Sequence, residues 1–248
     1  LRPADNAFVR IAVVSDIHAN LTALEAVVAD LERQRPDLVV QGGDLISGGS
    51  RPAEVIDRVR DLNWPGVHGN TDEMVWAPDR LEAALQAPAL ARMREALLTE
   101  IIPATRAAIG EARLAWLRAL PLEYRAADLA VVHASPGDVW RSPAANATDD
   151  ELDRAYRPLG CGHVVFGHIH QSFVRRLPAL TVVNAGSVSL SYDGDPRAAY
   201  AIIDDDTVVI RRVEYDVEEE IAYLVGARDP YAQWSAQVLR AARPAPFP

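Results

Sequence analysis

The 248-residue chain contains no lysine; all 25 of its basic residues are arginine. Schiff-base lysine chemistry and a phosphate-loop lysine are therefore both excluded. One cysteine, Cys161, rules out a disulfide framework, and in Gly160-Cys161-Gly162 before an apolar run it reads as a small buried filler. No apolar stretch approaches bilayer length and the N-terminus lacks a signal-peptide core, so a soluble cytoplasmic protein with no membrane partner is expected. Basic runs beyond isolated arginine pairs are missing, and the formal net charge is −10. Neutralising the phosphates of a long nucleic acid needs a basic face, which excludes that partner class. A small phosphorylated substrate stays compatible, because bound cations invert the local sign of the field. Nothing in the composition sets an oligomeric state.

The hydrophobic share of 49% in 248 residues is enough to bury one sizeable core, and a single domain over 1–248 is expected. Residues 10–15 form a continuous apolar run and predict a buried strand. Leu21, Leu24, Val27, Val28 and Leu31 follow at helical spacing, with Asn20 or Thr22 placed to cap the helix start. Pro36 ends that helix, 37–41 reads as a second strand, 52–62 as a second helix, and Val67-His68 as the end of a third short strand. Strand, helix, strand, helix, strand is the order of parallel pairing through crossovers.

Residues 79–120 break the alternation. Rich in Ala, Leu, Arg and Glu, they predict a helical insertion of two or three helices divided near Pro88, Pro103 and Gly110. Three readings of it stand: a cap over substrate entry, a packing element, or a dimerisation surface. Strands follow at about 128–133, 162–166, 180–184, 198–203 and 207–213. Short turn signals such as Asp193-Gly194-Asp195-Pro196 and Asp204-Asp205-Asp206 mark the last of them as antiparallel or mixed. A helical tail covers about 216–242, broken near Gly226 and Pro230.

Five polar clusters sit directly after apolar runs: Asp16-Ile17-His18, Gly42-Gly43-Asp44, Gly69-Asn70, His133 and Gly167-His168-Ile169-His170. Strands of an α/β sheet bring their C-terminal ends to one edge, so residues far apart in the chain can surround one small volume. Two Asp, one Asn and four His suit divalent Mn, Fe, Zn, Ni or Co rather than Mg, which takes more oxygen ligands. A two-cation site needs a bridging carboxylate, and Asp44, after two glycines, is the candidate. An isolated His68 or His163 reads first as an ordinary core or surface histidine.

With these residues in place, the sequence resembles the calcineurin-like metallophosphoesterases over about 10–213. The matching residues are Asp16-Ile17-His18, Gly42-Gly43-Asp44, Gly69-Asn70-Thr71-Asp72, His133 and Gly167-His168-Ile169-His170; Asn184-Ala185-Gly186-Ser187-Val188 is similar to an Asn-Pro-Gly-Ser segment of the smaller bacterial members. The resemblance implies an α/β fold, a four-layer α/β/β/α sandwich with two mixed central sheets. It also implies one cation on Asp16, His18, Asp44 and His170, and a second on Asp44, Asn70, His133 and His168. Hydrolysis would then proceed by direct attack of a metal-bridging hydroxide, with Asn70 stabilising charge on the phosphoryl oxygens and no covalent phosphoenzyme.

Position 71 departs from the family pattern. Many members carry His there, and this chain has Thr, which has no useful acidity near neutrality. The departure resembles a bacterial subgroup associated with phosphodiesters. Phosphodiesters or activated phosphomonoesters are therefore the expected substrates. Phosphoproteins, dinucleoside polyphosphates and a non-catalytic scaffold on the same fold are the alternatives. Thr71 as a hydrogen-bond donor, Asp72 as a ligand-orienting residue or helix cap, and His68 or His163 as a substitute acid complete the candidates.

Overall fold

The computed structural model describes residues 10–205 and 207–248. The N-terminal segment read for a signal peptide, up to residue 9, and Asp206 of the acidic turn lie outside the described residues.

Strand β1 (Arg10–Val14) pairs in parallel with β2 (Leu38–Gln41) through helix α1 (Leu21–Gln34). On its other side β1 pairs antiparallel with β8 (Ala198–Asp204), which pairs antiparallel with β9 (Thr207–Val213). The second sheet runs β3 (Glu123–Ala126), β4 (Leu129–Val132), β5 (His163–Phe166), β7 (Leu180–Asn184), β6 (Phe173–Leu177), parallel at its centre and antiparallel at both margins.

Alternation along the strands builds four layers. Ile11 and Val13 of β1 face Leu129, Val131, Val165 and Val183 of the second sheet, forming the core between sheets. Ala12 and Val14 face the other way, onto Leu24 and Val27 of α1 and Ile56 and Val59 of α2 (Pro52–Asp61). In the second sheet Ala130, Val132, Val164 and Phe166 pack outward onto Leu152 and Tyr156 of α7 (Asp149–Tyr156). Burial on both faces explains why these strands are continuous apolar runs rather than alternating ones. Asn20 caps α1, its side chain accepting from the Ala23 amide.

Two local expectations are corrected. No third strand forms before Asn70: a single bridge joins Gln41 to Gly66, after which the chain turns into α3 (Asn70–Glu73). Pro65 has no N–H with which to extend the ladder. Nor does Pro103 divide the insertion. The helix runs on through a π turn at Leu97–Ile101 directly into α6 (Ile102–Arg118), and that wider turn is where the chain accommodates the amide Pro103 lacks. Gly110 does kink α6, with φ 68° and ψ 169°. Helices α4 (Pro78–Ala84) and α5 (Ala91–Ala96) precede it, and Ile102, Ile109, Leu114 and Leu117 of α6 pack into the core under α2, as the packing reading of this segment expects. Strands β3 and β6 were not anticipated; each is a half-exposed margin of the second sheet. Beyond β9 come helices α8 (Val217–Gly226) and α9 (Ala232–Ala241). Among the described residues no helix is long and apolar enough to cross a membrane.

Candidate metal centre

The C-terminal ends of β1, β2, β4 and β5 open onto one edge, and the loops leaving them carry Asp16 and His18, Asp44, His133, and His168 and His170. The first two loops run side by side, with Asp16 N donating to Gly43 O (3.0 Å), His18 N to Asp44 O (2.9 Å) and Ala19 N to Leu45 O (2.8 Å). Five of the seven candidate ligands are in the left-handed region: Asp16 (φ 58°), His18 (50°), Asp44 (54°), His168 (66°) and His170 (55°). Such a backbone costs about 1–3 kcal/mol per non-glycine residue and persists only where its surroundings over-determine it. The clustering of this strain at one edge marks the loops as built for their side chains.

Asp16, His18, Asp44 and His170 are buried and present one ligand atom each, all within 4.8 Å of one another. On the other flank Asn70 Oδ1 lies 2.9 Å from His133 Nε2 and 2.8 Å from His168 Nδ1. Asp44 reaches both groups: its Oδ2 is 3.6 Å from His18 Nε2 and its Oδ1 is 3.5 Å from His133 Nε2.

Three imidazoles are oriented by backbone carbonyls. Nδ1 of His18 donates to Ser47 O (2.8 Å), that of His133 to Gly42 O (2.9 Å) and that of His170 to Leu190 O (2.6 Å). A carbonyl only accepts, so each Nδ1 carries the proton and each Nε2 is left as an acceptor facing the centre. His18 Nε2 and His170 Nε2 consequently face each other at 3.2 Å, beside two carboxylates and inside the protein. The carboxylates also accept from backbone amides, Asp16 from His168 N (3.1 Å) and Asp44 from Thr71 N (2.8 Å). The facing imidazole nitrogens, however, have no side-chain donor between them, an arrangement that a divalent cation satisfies, and the N/O ligand set fits the transition-metal ions expected.

Electrostatics follow from burial and these neighbours. For Asp16, burial would raise the carboxyl, but the His170, His133 and His18 imidazoles outweigh it and hold it well below the usual range. Burial, reinforced by His133, pushes His168 down to about 4. Burial also lowers His18. His133 and His170 go the other way: burial opposes their charge, yet Asp44 and Asp16 around His133, and Asp16 and the Leu190 carbonyl around His170, raise both.

The remaining candidates have structural assignments. Asp72 accepts from the Gly69 amide (2.9 Å) and the Leu45 amide (2.9 Å), so it caps α3 and braces the Asp44 loop. Burial and the neighbouring Asp44 push its carboxyl up to about 7. Thr71 does not offer its hydroxyl proton outward; it donates to Ile46 O (2.9 Å), while its amide donates to Asp44 Oδ1 (2.8 Å). His68 is buried, with Nδ1 on Leu120 O (2.8 Å) and its ring edge-on to Trp76. His163 opens β5, at the opposite end of that strand from His168.

Several residues that shape the site carry weak sequence signals. Gln41 is fully buried at the end of an apolar strand; its side chain donates to Val67 O (2.8 Å) and accepts from the Gly43 amide (2.8 Å), clamping the Asp44 loop. Asn184 donates to Gly167 O (2.6 Å) and Ser187 to Asp16 O (2.9 Å), so the Asn-Ala-Gly-Ser segment ties together ligand loops from both sheets. Ser47 and Leu190 act through their carbonyls, which any residue would supply. Tyr192 stacks on His170 with centroids 4.7 Å apart.

A Cβ on Gly167 would overlap Asp16 Oδ2 and the Ser15 hydroxyl. Gly167→Ala is therefore expected to leave the far-UV circular dichroism unchanged while lowering Mn affinity about 10–100-fold, the usual cost of disturbing a ligand's support. Calorimetric titration reads this directly, and unaltered affinity would show that the Asp16 carboxylate does not need the bare backbone.

Comparison with known proteins places this geometry in context. The chain is 29% identical to an uncharacterized protein of Methanocaldococcus jannaschii over 92% of its own length and 96% of that protein's. It is similar to the crystal structure of a metallophosphoesterase from Sphaerobacter thermophilus, with 28% identity, a TM-score of 0.76, and coverage of 95% of this chain and 100% of that one. A hypothetical protein from Pyrococcus horikoshii shares the fold at 18% identity, with a TM-score of 0.78 over 95% of this chain and 99% of that one. Residues 9–207 match the model of the calcineurin-like phosphoesterase superfamily domain, and the chain belongs to that superfamily.

Proposed function

We propose that the protein is a phosphoesterase dependent on two divalent cations, acting on phosphodiesters or activated phosphomonoesters. The observation that carries this reading is Asp44, whose two oxygens address two separate groups of acceptors. Asp16, His18 and His170 would complete one cation site, and Asn70, His133 and His168 the other. Bound there, the cations supply Lewis acidity toward the phosphoryl oxygens and a nucleophilic water at neutral pH. The chain's own part is to hold the acceptors in place, to fix the tautomer of three imidazoles through carbonyl contacts so that Nε2 is the nitrogen offered to a cation, and to present Asn70 toward the phosphoryl group.

The substrate preference follows from what the leaving side lacks. Both polar groups of Thr71 are occupied, and His68 is turned onto Leu120 and Trp76. With no protonated side chain at position 71, a leaving oxygen departs without help from that position, which favours aryl esters and phosphoanhydrides over serine phosphates. That favours a dinucleoside polyphosphate over a phosphoprotein as the alternative substrate. The complete ligand set weighs against a non-catalytic scaffold. Turnover of an aryl diester, an aryl monoester and a phosphoanhydride on one Mn-loaded preparation tests the reading; no hydrolysis of any of them rejects it.

Cation loading is expected to be proton-linked. The imidazoles raised above their ordinary pKa are His170 in one group and His133 in the other. Protons there are held at pH values where a free imidazole, near 6.5, has lost them, and each must leave before a cation binds. Affinity should therefore fall as pH drops from above the ordinary imidazole value near 6.5 to below it, with protons released as cations bind. Calorimetry in buffers of different ionisation enthalpy measures that release, and a pH-independent affinity would refute it.

A further inference from the structure

The two candidate cation groups are supported by different parts of the chain. His133 is oriented by Gly42 O, on the loop leaving β2, inside the region shared with the superfamily model. His18 and His170 are oriented by Ser47 O and Leu190 O. Both carbonyls belong to segments gripped by α8 and α9, which lie beyond the matched residues 9–207.

The grip on the 47–51 loop is polar. Glu220 of α8 is fully buried, and its Oε1 accepts from the Ser50 amide (3.1 Å) and hydroxyl (2.9 Å). Its Oε2 accepts from Arg51 (2.7 Å) and Thr22 (3.2 Å). Arg51 also lies over the Tyr223 ring at 3.9 Å, and its amide donates to Ala19 O (3.0 Å), the residue after His18. The grip on Leu190 is apolar: its side chain is buried with Ile221 and Leu224 of α8 and Ala236 and Leu239 of α9, and Tyr192, stacked on His170, packs against the same cluster. A buried carboxylate left without its donors, or donors left without the carboxylate, is costly, so this arrangement holds one loop geometry.

Resting on the two-cation reading, we propose that the C-terminal helical hairpin, acting through Glu220, is a positioning element for the Asp16–His18–His170 cation and not for the Asn70–His133–His168 cation. Glu220 touches neither cation group; it sets the loop whose carbonyl aims His18.

The test is Mn titration of the full chain by calorimetry. Wild-type protein should bind two ions, and Glu220→Ala should weaken one of them about 10–100-fold while leaving the other unchanged. The site is assigned in single-site backgrounds: Glu220→Ala should lower the remaining affinity in a His133→Ala chain and leave it unaltered in a His18→Ala chain. Should Glu220→Ala fail to fold, Glu220→Gln, which keeps the volume and one carbonyl oxygen, is read by the same criteria. Unchanged affinities, or equal weakening of both sites, overturn the inference while leaving the two-cation reading intact. Wild-type protein that binds fewer than two ions removes both.

Discussion

Asp44→Ala should lose phosphoesterase activity by at least ~10³-fold, about 4 kcal/mol of transition-state stabilisation. The effect should exceed that of any other single ligand because Asp44 alone faces both groups, His18 through Oδ2 and His133 through Oδ1. Removing it takes a carboxylate oxygen from each group and frees the Thr71 amide, which donates to Oδ1. Charge repulsion on Asp72 is relieved at the same time, so the fold should survive. Metal content after dialysis against Mn, thermal melting and turnover of an aryl phosphodiester, taken together, separate a lost centre from a lost fold. Wild-type turnover no greater than that of a folded Asp44→Ala protein would end the enzymatic reading.

The second large effect is expected along a series of leaving groups. Aryl diesters should be hydrolysed faster than alkyl diesters by a margin ~10²–10⁴ wider than in a relative with a protonated histidine at this position, the worth of general-acid assistance. The cause is local. The Thr71 hydroxyl hydrogen is committed to Ile46 O, and no other protonable side chain stands at position 71. Thr71→His should then recover part of the deficit, selectively for the poorest leaving groups. A flat dependence of rate on leaving-group acidity would reveal an acid supplied from elsewhere in the structure.

These expectations draw unequally on sequence and structure. The ligand residues could be picked out in the chain because each follows a strand buried on both faces, and such strands are continuous apolar runs ending in a polar break. Parallel order then brings those breaks to one edge. Strands β3 and β6 left no such trace, since half-exposed margins admit Arg125, Arg175 and Arg176 without penalty. Orientation of the imidazoles was equally hidden. Gly42, Ser47 and Leu190 contribute carbonyls, and a carbonyl has no residue type. Thr71 shows the same limit: its identity excludes an acid, but only the position of Ile46 O reveals where its proton goes.

The partition of ligands between sheets has a mechanical consequence. Asp16, His18 and Asp44 leave the first sheet, while His133, His168 and His170 leave the second. Between those sheets lies an interdigitated layer of aliphatic side chains, and polar ties such as Ser187 to Asp16 O and His133 to Gly42 O join the loops at its rim. A cation held by Asp16 and His170 would join the two sheets across that rim, a rivet added to the polar ties already there.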